Sequence, residues 1–399
     1  MRVALYHHLP PGGALRVVGD FVANAPPDVE IDLFGLEDVT GSPFQQVDYP
    51  VPGTFPRTAP LDAGRVGDLW GGRLSRPVLA ARLGPAERTV AEMINAGNYD
   101  VAYIHPSWLS NVPGLVRLLR APSVVYLHEV RRASFEPSYR QGGRGGLLGF
   151  PGRIVGGLGD RLLAPRDRRG VGAATRLACN STYTAERILA SYGRAASVVP
   201  PGVDTNVFRP RTVPASNTPY VLSVGGLEPF KNHHVTVDAL AKIDPSIRPS
   251  LVLVYERCDA QYRRRLLERA REVGVIVTEQ RGVSDEKLAE LYSGALATVA
   301  CAQLEPLGLT PLESIACGTP VVAVREAGYR ETVSDGENGL LVPRSVPALS
   351  RAISDIVAGT AGIGEPGDIP STILPFWSVG ASTERQVAAL REVVDVQDA

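Results

Sequence analysis

Short apolar runs separated by helix-length amphipathic stretches recur down both halves of this chain, and that alternation constrains the fold more than any other feature. A buried run followed by a helical pattern and another buried run is a βαβ unit, whose strands must lie parallel. In the first half the pattern predicts strands over 2–6, 30–34, 101–104, 123–127, 175–179 and 197–199, with helices over 14–23 and 182–192 among those between them. In the second half it predicts strands over 220–224, 251–255, 275–277, 297–300, 321–324 and 340–342, with helices over 235–243, 260–273 and 286–292. Each half reads as its own parallel, Rossmann-like α/β sheet. A chain of 399 residues is too long for one ordinary core and suits two domains of roughly 150–200 residues each.

The segment from Phe208 to Pro219 holds three prolines and little apolar content, which places the linker there. The first domain then covers 1–208 and the second 209–377, with a last helix starting at Ser378. Residues 41–80 and 138–170 are rich in Gly and Arg and weakly periodic, so both read as long loops or loop-plus-helix insertions.

A formal net charge of -1 implies no strong field for nucleic acid. Arg slightly exceeds carboxylates in the first half, which could favour an anionic acceptor or a lipid surface, although scatter explains so small an excess. The Arg-rich stretch 140–169 has no Trp/Phe/Leu stripe at helical spacing, so it reads as a solvated loop and helix face more readily than as a membrane surface. Cys179, Cys258, Cys301 and Cys317 are far apart, with no C-x-x-C, and read as reduced, buried thiols of a cytoplasmic protein. No run of 18 apolar residues exists. The chain reads as soluble, with peripheral membrane contact left open.

The chemistry concentrates in Glu305-Pro-Leu-Gly-Leu-Thr-Pro-Leu-Glu313-Ser-Ile-Ala-Cys-Gly-Thr-Pro-Val-Val322. Thr310 can N-cap a helix with Pro311 at its first position and Glu313 three residues on, a capping box. That accounts for Glu313 but not for Glu305, a second acid in a loop that ends where a helix begins. Free N–H groups at Leu309 and Thr310 would point at an anion, and Gly308 lets the backbone approach a ligand closely. Carboxylates for sugar hydroxyls beside N–H groups for a phosphate are what a nucleotide-sugar requires.

This E-x7-E element, with Ala316-Cys-Gly-Thr-Pro-Val-Val322 behind it, resembles that of the retaining family 4 glycosyltransferases (glycosyl transferases group 1). Pro201-Gly-Val-Asp-Thr-Asn-Val-Phe-Arg-Pro210, Val221-Leu-Ser-Val-Gly-Gly-Leu-Glu-Pro-Phe-Lys231, Gly282-Val-Ser-Asp-Glu-Lys-Leu-Ala-Glu-Leu-Tyr292 and Asp335-Gly-Glu-Asn-Gly-Leu-Leu-Val-Pro343 follow the family's order, so the resemblance covers nearly the whole chain. It implies a GT-B fold, two Rossmann-like domains facing each other across a cleft, the second for the donor and the first for the acceptor. The last helix, 378–399, would pack back on the first domain, with Trp377 near the crossing. The implied reaction moves a hexosyl unit from a UDP- or GDP-sugar to the hydroxyl of a small-molecule, glycan or lipid-linked acceptor, with retention. It needs no metal or other cofactor, and domain closure would exclude water.

Roles follow by position. Glu305 would hydrogen-bond the donor sugar and Glu313 the nucleotide ribose. Backbone amides of Leu307 and Gly308 would meet the sugar, and those of Leu309 and Thr310 the diphosphate. Lys231 would grip the diphosphate, whose charge grows as the glycosidic bond breaks. His128 would contact the donor sugar and phosphate. The Gly12-Gly13 loop would close over the phosphate, and Arg281, Gly282 and Val283 would line the base. Gly226 stands where the family commonly has an Arg, which admits a pseudo-glycosyltransferase with an altered or non-sugar donor. A nucleotide-sugar epimerase on the same fold is the other alternative. His7, His8 and His105 stand near strand ends, where ligands gather in open sheets, and His233 and His234 read as structural. No zinc pattern and no Asp-x-Asp is present.

Overall fold

A computed structural model describes residues 1–38, 57–61, 75–132, 163–213 and 218–398. The chain divides into two compact units, Met1–Pro201 with Ser382–Ala399, and Gly202–Ala381.

The described strands of the first unit are β1 (Arg2–His8), β2 (Glu30–Asp38), β3 (Arg57–Leu61), β4 (Val101–Ser107), β5 (Ser123–Leu127), β6 (Arg176–Cys179) and β7 (Ser197–Val198). They form one sheet in the order β3-β2-β1-β4-β5-β6-β7, every neighbouring pair parallel. Successive side chains leave a strand on opposite faces, and β1 shows this directly. Val3 and Leu5 join Leu15, Val18 and Phe21 of the helix Gly13–Asn24 and Leu390 and Val393 of the helix Val379–Asp398. Ala4 and Tyr6 join Leu83, Val90 and Ile94 of the helix Ser75–Asn95 and Ile188 of the helix Thr182–Tyr192. This last helix starts where Ser181 Oγ accepts from the Thr184 N–H and stops at Gly193, φ 71°.

The second unit carries β8 (Tyr220–Val224), β9 (Ser250–Tyr255), β10 (Val277–Arg281), β11 (Ala297–Ala300), β12 (Val321–Val324) and β13 (Gly339–Val342), in the order β10-β9-β8-β11-β12-β13. These pairs too are parallel. Leu222, Leu253, Val299, Ile315, Val322 and Ile353 belong to its core.

Several expectations are corrected. The segment read as the linker falls inside the second unit, and the chain passes between units at Pro201 and again at Ala381. The two passages are pinned side by side: Val203 bridges Ser378, and the Val203 N–H donates to the Trp377 carbonyl at 2.7 Å. Residues 41–80 hold the start of the helix Ser75–Asn95, as a loop-plus-helix insertion would, but also the strand β3, which was not expected. Residues 163–173 are helical, and the rest of 138–170 lies outside the described residues. The strand expected at 275–277 is Val277–Arg281, because the polar Thr-Glu-Gln-Arg run forms the sheet edge. Cys258 is exposed rather than buried. Among the described residues no helix is long and apolar enough to cross a membrane.

Open parallel sheets bind ligands beyond the carboxyl ends of their strands, where the strand order reverses. That point falls between β1 and β4 in the first unit and between β8 and β11 in the second.

Candidate functional site

In the second unit the loops after β8 and β11 meet. The Gln303 N–H donates to the Phe230 carbonyl (2.8 Å), and Asn232 Nδ2 donates to the Cys301 carbonyl (3.1 Å). Asn232 takes φ 57° and Leu304 φ 49°, left-handed conformations that turn each loop sharply. So tied, the loops bring Lys231 Nζ to 2.8 Å from Glu305 Oε2, with side chains 24% and 19% exposed. The pair is a charge-assisted hydrogen bond at a rim open to solvent on one side. The sequence named both residues but not this contact.

The backbone beyond Glu305 is held by close approach. The Gly328 N–H donates to the Glu305 carbonyl at 2.9 Å, and a Cβ on Gly328 would stand 2.3 Å from Leu307 Cα. Gly308 has φ 96° and caps the helix Leu309–Ala316 without a side-chain bond. A Cβ there would sit 2.8 Å from the Tyr329 ring. The helix therefore starts earlier than the expected capping box required. Thr310 lies inside its first turn, and Glu313 is not a cap. Glu313 is instead buried, 5% exposed, and accepts from Tyr292 Oη at 2.8 Å. Tyr292 was missed because its place in the helix Asp285–Ser293 reads as core. The early N–H groups of such a helix have no partner within it and face an anion favourably.

Gly226 shows what stands in place of an arginine. Its carbonyl accepts from His233 Nε2 (3.2 Å), and His233 Nδ1 meets Ser223 Oγ at 2.9 Å. Burial lowers the His233 pKa to about 4, so the ring is a neutral brace for the loop. A Cβ on Gly226 would lie 3.0 Å from Glu228 Oε2 and 3.5 Å from the Arg257 carbonyl. Arg281 ends β10 and donates through Nε to the Glu256 carbonyl at 3.2 Å. Gly282, φ 62°, has open space where a side chain would be, and Val283 packs on the core.

In the first unit β4 and β5 gather rings. His128 follows β5, and its Nε2 lies 3.2 Å from Nδ1 of His105 on β4. Tyr126 stacks on His105 at 5.3 Å, and the Tyr103 ring meets His105 edge-on at 4.5 Å. Tyr126 Oη donates to the Val199 carbonyl and Tyr103 Oη to Gln386 Oε1, at 2.7 and 2.8 Å. Burial lowers the His7 and His128 pKa to about 3, and places His105 well below the usual value. His8 Nδ1 is 3.4 Å from Ser107 Oγ. Gly12 caps the helix Gly13–Asn24 with φ 145° and open space where a Cβ would stand, and Gly13 is that helix's first residue. His128 and Gly12 thus stand at the carboxyl ends of the strands, as expected, while His105 is a buried partner that the sequence placed only near a strand end. Among the described residues no group of three or more His, Cys, Asp or Glu could hold a metal ion.

Comparison with known proteins agrees with this fold. A model of Glycosyltransferase Family 4 matches residues 12–207, and one of Glycosyl transferases group 1 matches 204–361. A D-inositol 3-phosphate glycosyltransferase of Acidothermus cellulolyticus is 34% identical over 285 residues, which are 64% of this chain and 59% of that protein. The chain thus spans about three fifths of that relative's length. The Streptosporangium roseum protein of the same name is 30% identical over 346 residues, 79% of this chain and 72% of its own. Sucrose-phosphate synthase from Thermosynechococcus elongatus superposes with TM-score 0.75 and 22% identity over 99% of this chain and 100% of its own. Anabaena Alr3699/HepE in complex with UDP and glucose gives TM-score 0.69 and 18% identity over 98% and 99%. At such identities these structures speak for the fold alone. With two parallel-sheet units, two family models end to end and relatives of this similarity, the chain belongs to the family 4 glycosyltransferases and has their GT-B fold.

Proposed function

We propose that this chain moves a hexosyl unit from a UDP- or GDP-sugar to an acceptor hydroxyl with retention at the anomeric carbon. The observation that carries this reading is the Lys231–Glu305 contact, drawn from the two loops at the switch point of the second sheet, beside the start of the helix Leu309–Ala316. A sugar needs an acceptor for its hydroxyls, and Glu305 offers one. A departing diphosphate needs positive charge that is in place before the bond breaks, and Lys231 with the helix N–H groups offers it. Donor entry would exchange the Lys231–Glu305 contact for contacts to diphosphate and sugar. Gly308, packed on the Tyr329 ring at φ 96°, sets where the helix N–H groups begin, and Glu313, held by Tyr292, is poised to accept from the ribose.

No carboxylate is placed as an obvious nucleophile in this reading, so the step is a front-side exchange. The bond from the anomeric carbon to the phosphate oxygen breaks while the bond to the acceptor oxygen forms on the same face. The acceptor's proton passes to the departing phosphate oxygen. No metal is needed to balance it. The relatives named D-inositol 3-phosphate glycosyltransferases support a cyclic polyol phosphate as the first acceptor to try.

The test is a panel of UDP- and GDP-hexoses with inositol 3-phosphate, reading nucleoside diphosphate release and the anomeric coupling of the product by NMR. Glu305→Gln should lose about a hundredfold in kcat. An inverted product, or Glu305→Gln turning over like the wild type, would sink the proposal.

A further inference from the structure

The first unit contains a hydrogen bond whose direction can be deduced. His105 is fully buried, and its Nε2 has no hydrogen-bond partner among the described residues. Its Nδ1 is 3.2 Å from His128 Nε2, the rings tilted by 32°. Neither imidazole is charged, since burial without a carboxylate partner favours the neutral form of both. One nitrogen of each ring therefore carries the proton. An N–H buried without an acceptor is a rarer and costlier orphan than an unmatched lone pair. His105 thus keeps its lone pair on the orphaned Nε2 and its proton on Nδ1, which donates to His128 Nε2. His128, with Nε2 occupied as an acceptor, must hold its own proton on Nδ1.

We infer that His105 is a positioning residue that fixes the tautomer of His128, so that a ligand oxygen meeting this ring beyond the end of β5 finds an Nδ1–H donor and never a lone pair. The role in turnover rests on the transferase reading above, but the tautomer does not. The surroundings suit a fixed ring. Tyr126 stacks on His105 and is anchored to the Val199 carbonyl. Asn180 Nδ2 holds the His128 carbonyl at 2.9 Å. Tyr103, edge-on to His105, is tied to Gln386 of the last helix.

The test uses the full chain with 15N-labelled histidine and long-range proton–nitrogen correlation, His128 being assigned through His128→Gln. The wild type should show both rings neutral, each protonated at Nδ1. His105→Phe keeps a ring against Tyr126 but offers no donor, and should release His128 into a mixture of tautomers and lower kcat about tenfold with KM little changed. His105→Asn places an amide N–H near the former Nδ1 and should restore the tautomer and most of kcat. Protonation of His128 at Nε2 in the wild type overturns the inference, as does an unchanged tautomer in His105→Phe. Should that variant fail to fold, the wild type and His105→Asn decide the question. If no donor supports turnover, the transferase reading fails while the spectra still test His105.

Discussion

The two units solve the same topological problem with opposite materials. Both are parallel sheets with a reversal of strand order, and each gathers chemistry-bearing residues toward the carboxyl ends of its central strands. In the second unit the loops bring a cation and a carboxylate together at a partly exposed rim. In the first, β4 and β5 bring neutral rings together, burying His105, Tyr103 and Tyr126 and leaving His128 half-buried. A rim charge is stabilised by water and is free to change partners when an anion arrives. A buried imidazole has no such freedom, and its value lies in a fixed geometry. On the transferase reading, Lys231 and Glu305 can change partners as charge develops, while the ring cluster keeps one geometry.

The sharpest way to break that comparison is Lys231→Met. If charge in the second unit carries the reaction, kcat falls about a hundred- to a thousandfold in single-turnover measurements of nucleoside diphosphate release. A variant with unaltered kcat and a weaker donor Kd would assign Lys231 to binding alone.

Acid separates the units next. The folded pKa of His7 and His128 is about 3, and that of His105 is well below the ordinary 6.5. Below pH 6.5 the unfolded chain binds protons that these rings refuse. The stability they contribute is thus complete above about pH 6.5 and is lost as pH falls toward 3. The slope is up to about 1.4 kcal/mol per pH unit for each of the buried His7 and His105, and less for the half-buried His128. The second unit has one fully buried counterpart, His233. Pulse proteolysis at pH 7.5 and 5.0, with fragments read by mass spectrometry, should show the first unit opening earlier in acid. Equal losses would break the contrast.

Two smaller effects sharpen it within the second unit. Gly308→Ala forces a side chain into φ 96° against the Tyr329 ring and should cost about 2–3 kcal/mol in urea unfolding, with weaker donor binding. Tyr292→Phe leaves the buried Glu313 carboxylate short of a donor, which should cost about 1–2 kcal/mol and raise the Kd for nucleoside diphosphate by calorimetry.

What was legible in the sequence tracks how local the signal is. The helix Thr182–Tyr192 is read correctly because Ser181 and Gly193 mark both ends. Strands buried on both faces, such as Val321–Val324, are continuous apolar runs. Polar edge strands are not, which is why Val277–Arg281 was misplaced and Arg57–Leu61, with a proline inside it, was missed. The helix Ser75–Asn95 was hidden by Pro85. At the site, Glu305 and Lys231 announce themselves by spacing. Only the capping role read for Glu313 fails, because the backbone of Gly308, not a Thr310 side chain, decides where the helix begins. The His105–His128 contact depends on the parallel register of β4 and β5, with Ala102 opposite Ser123, and no local pattern encodes that.

One further consequence follows from the last helix belonging to the first unit. Tyr103 meets Gln386 across 283 residues, and Leu390 and Val393 complete a core begun at Val3. On the ribosome the first unit cannot finish when its own sheet emerges, although the first domain of a chain commonly does so. Its apolar face waits until the whole second unit has been made, and that unit, ending at Ala381, can close first. A nascent chain stalled before residue 382 should thus hold a folded second unit beside a first unit still open to chaperones.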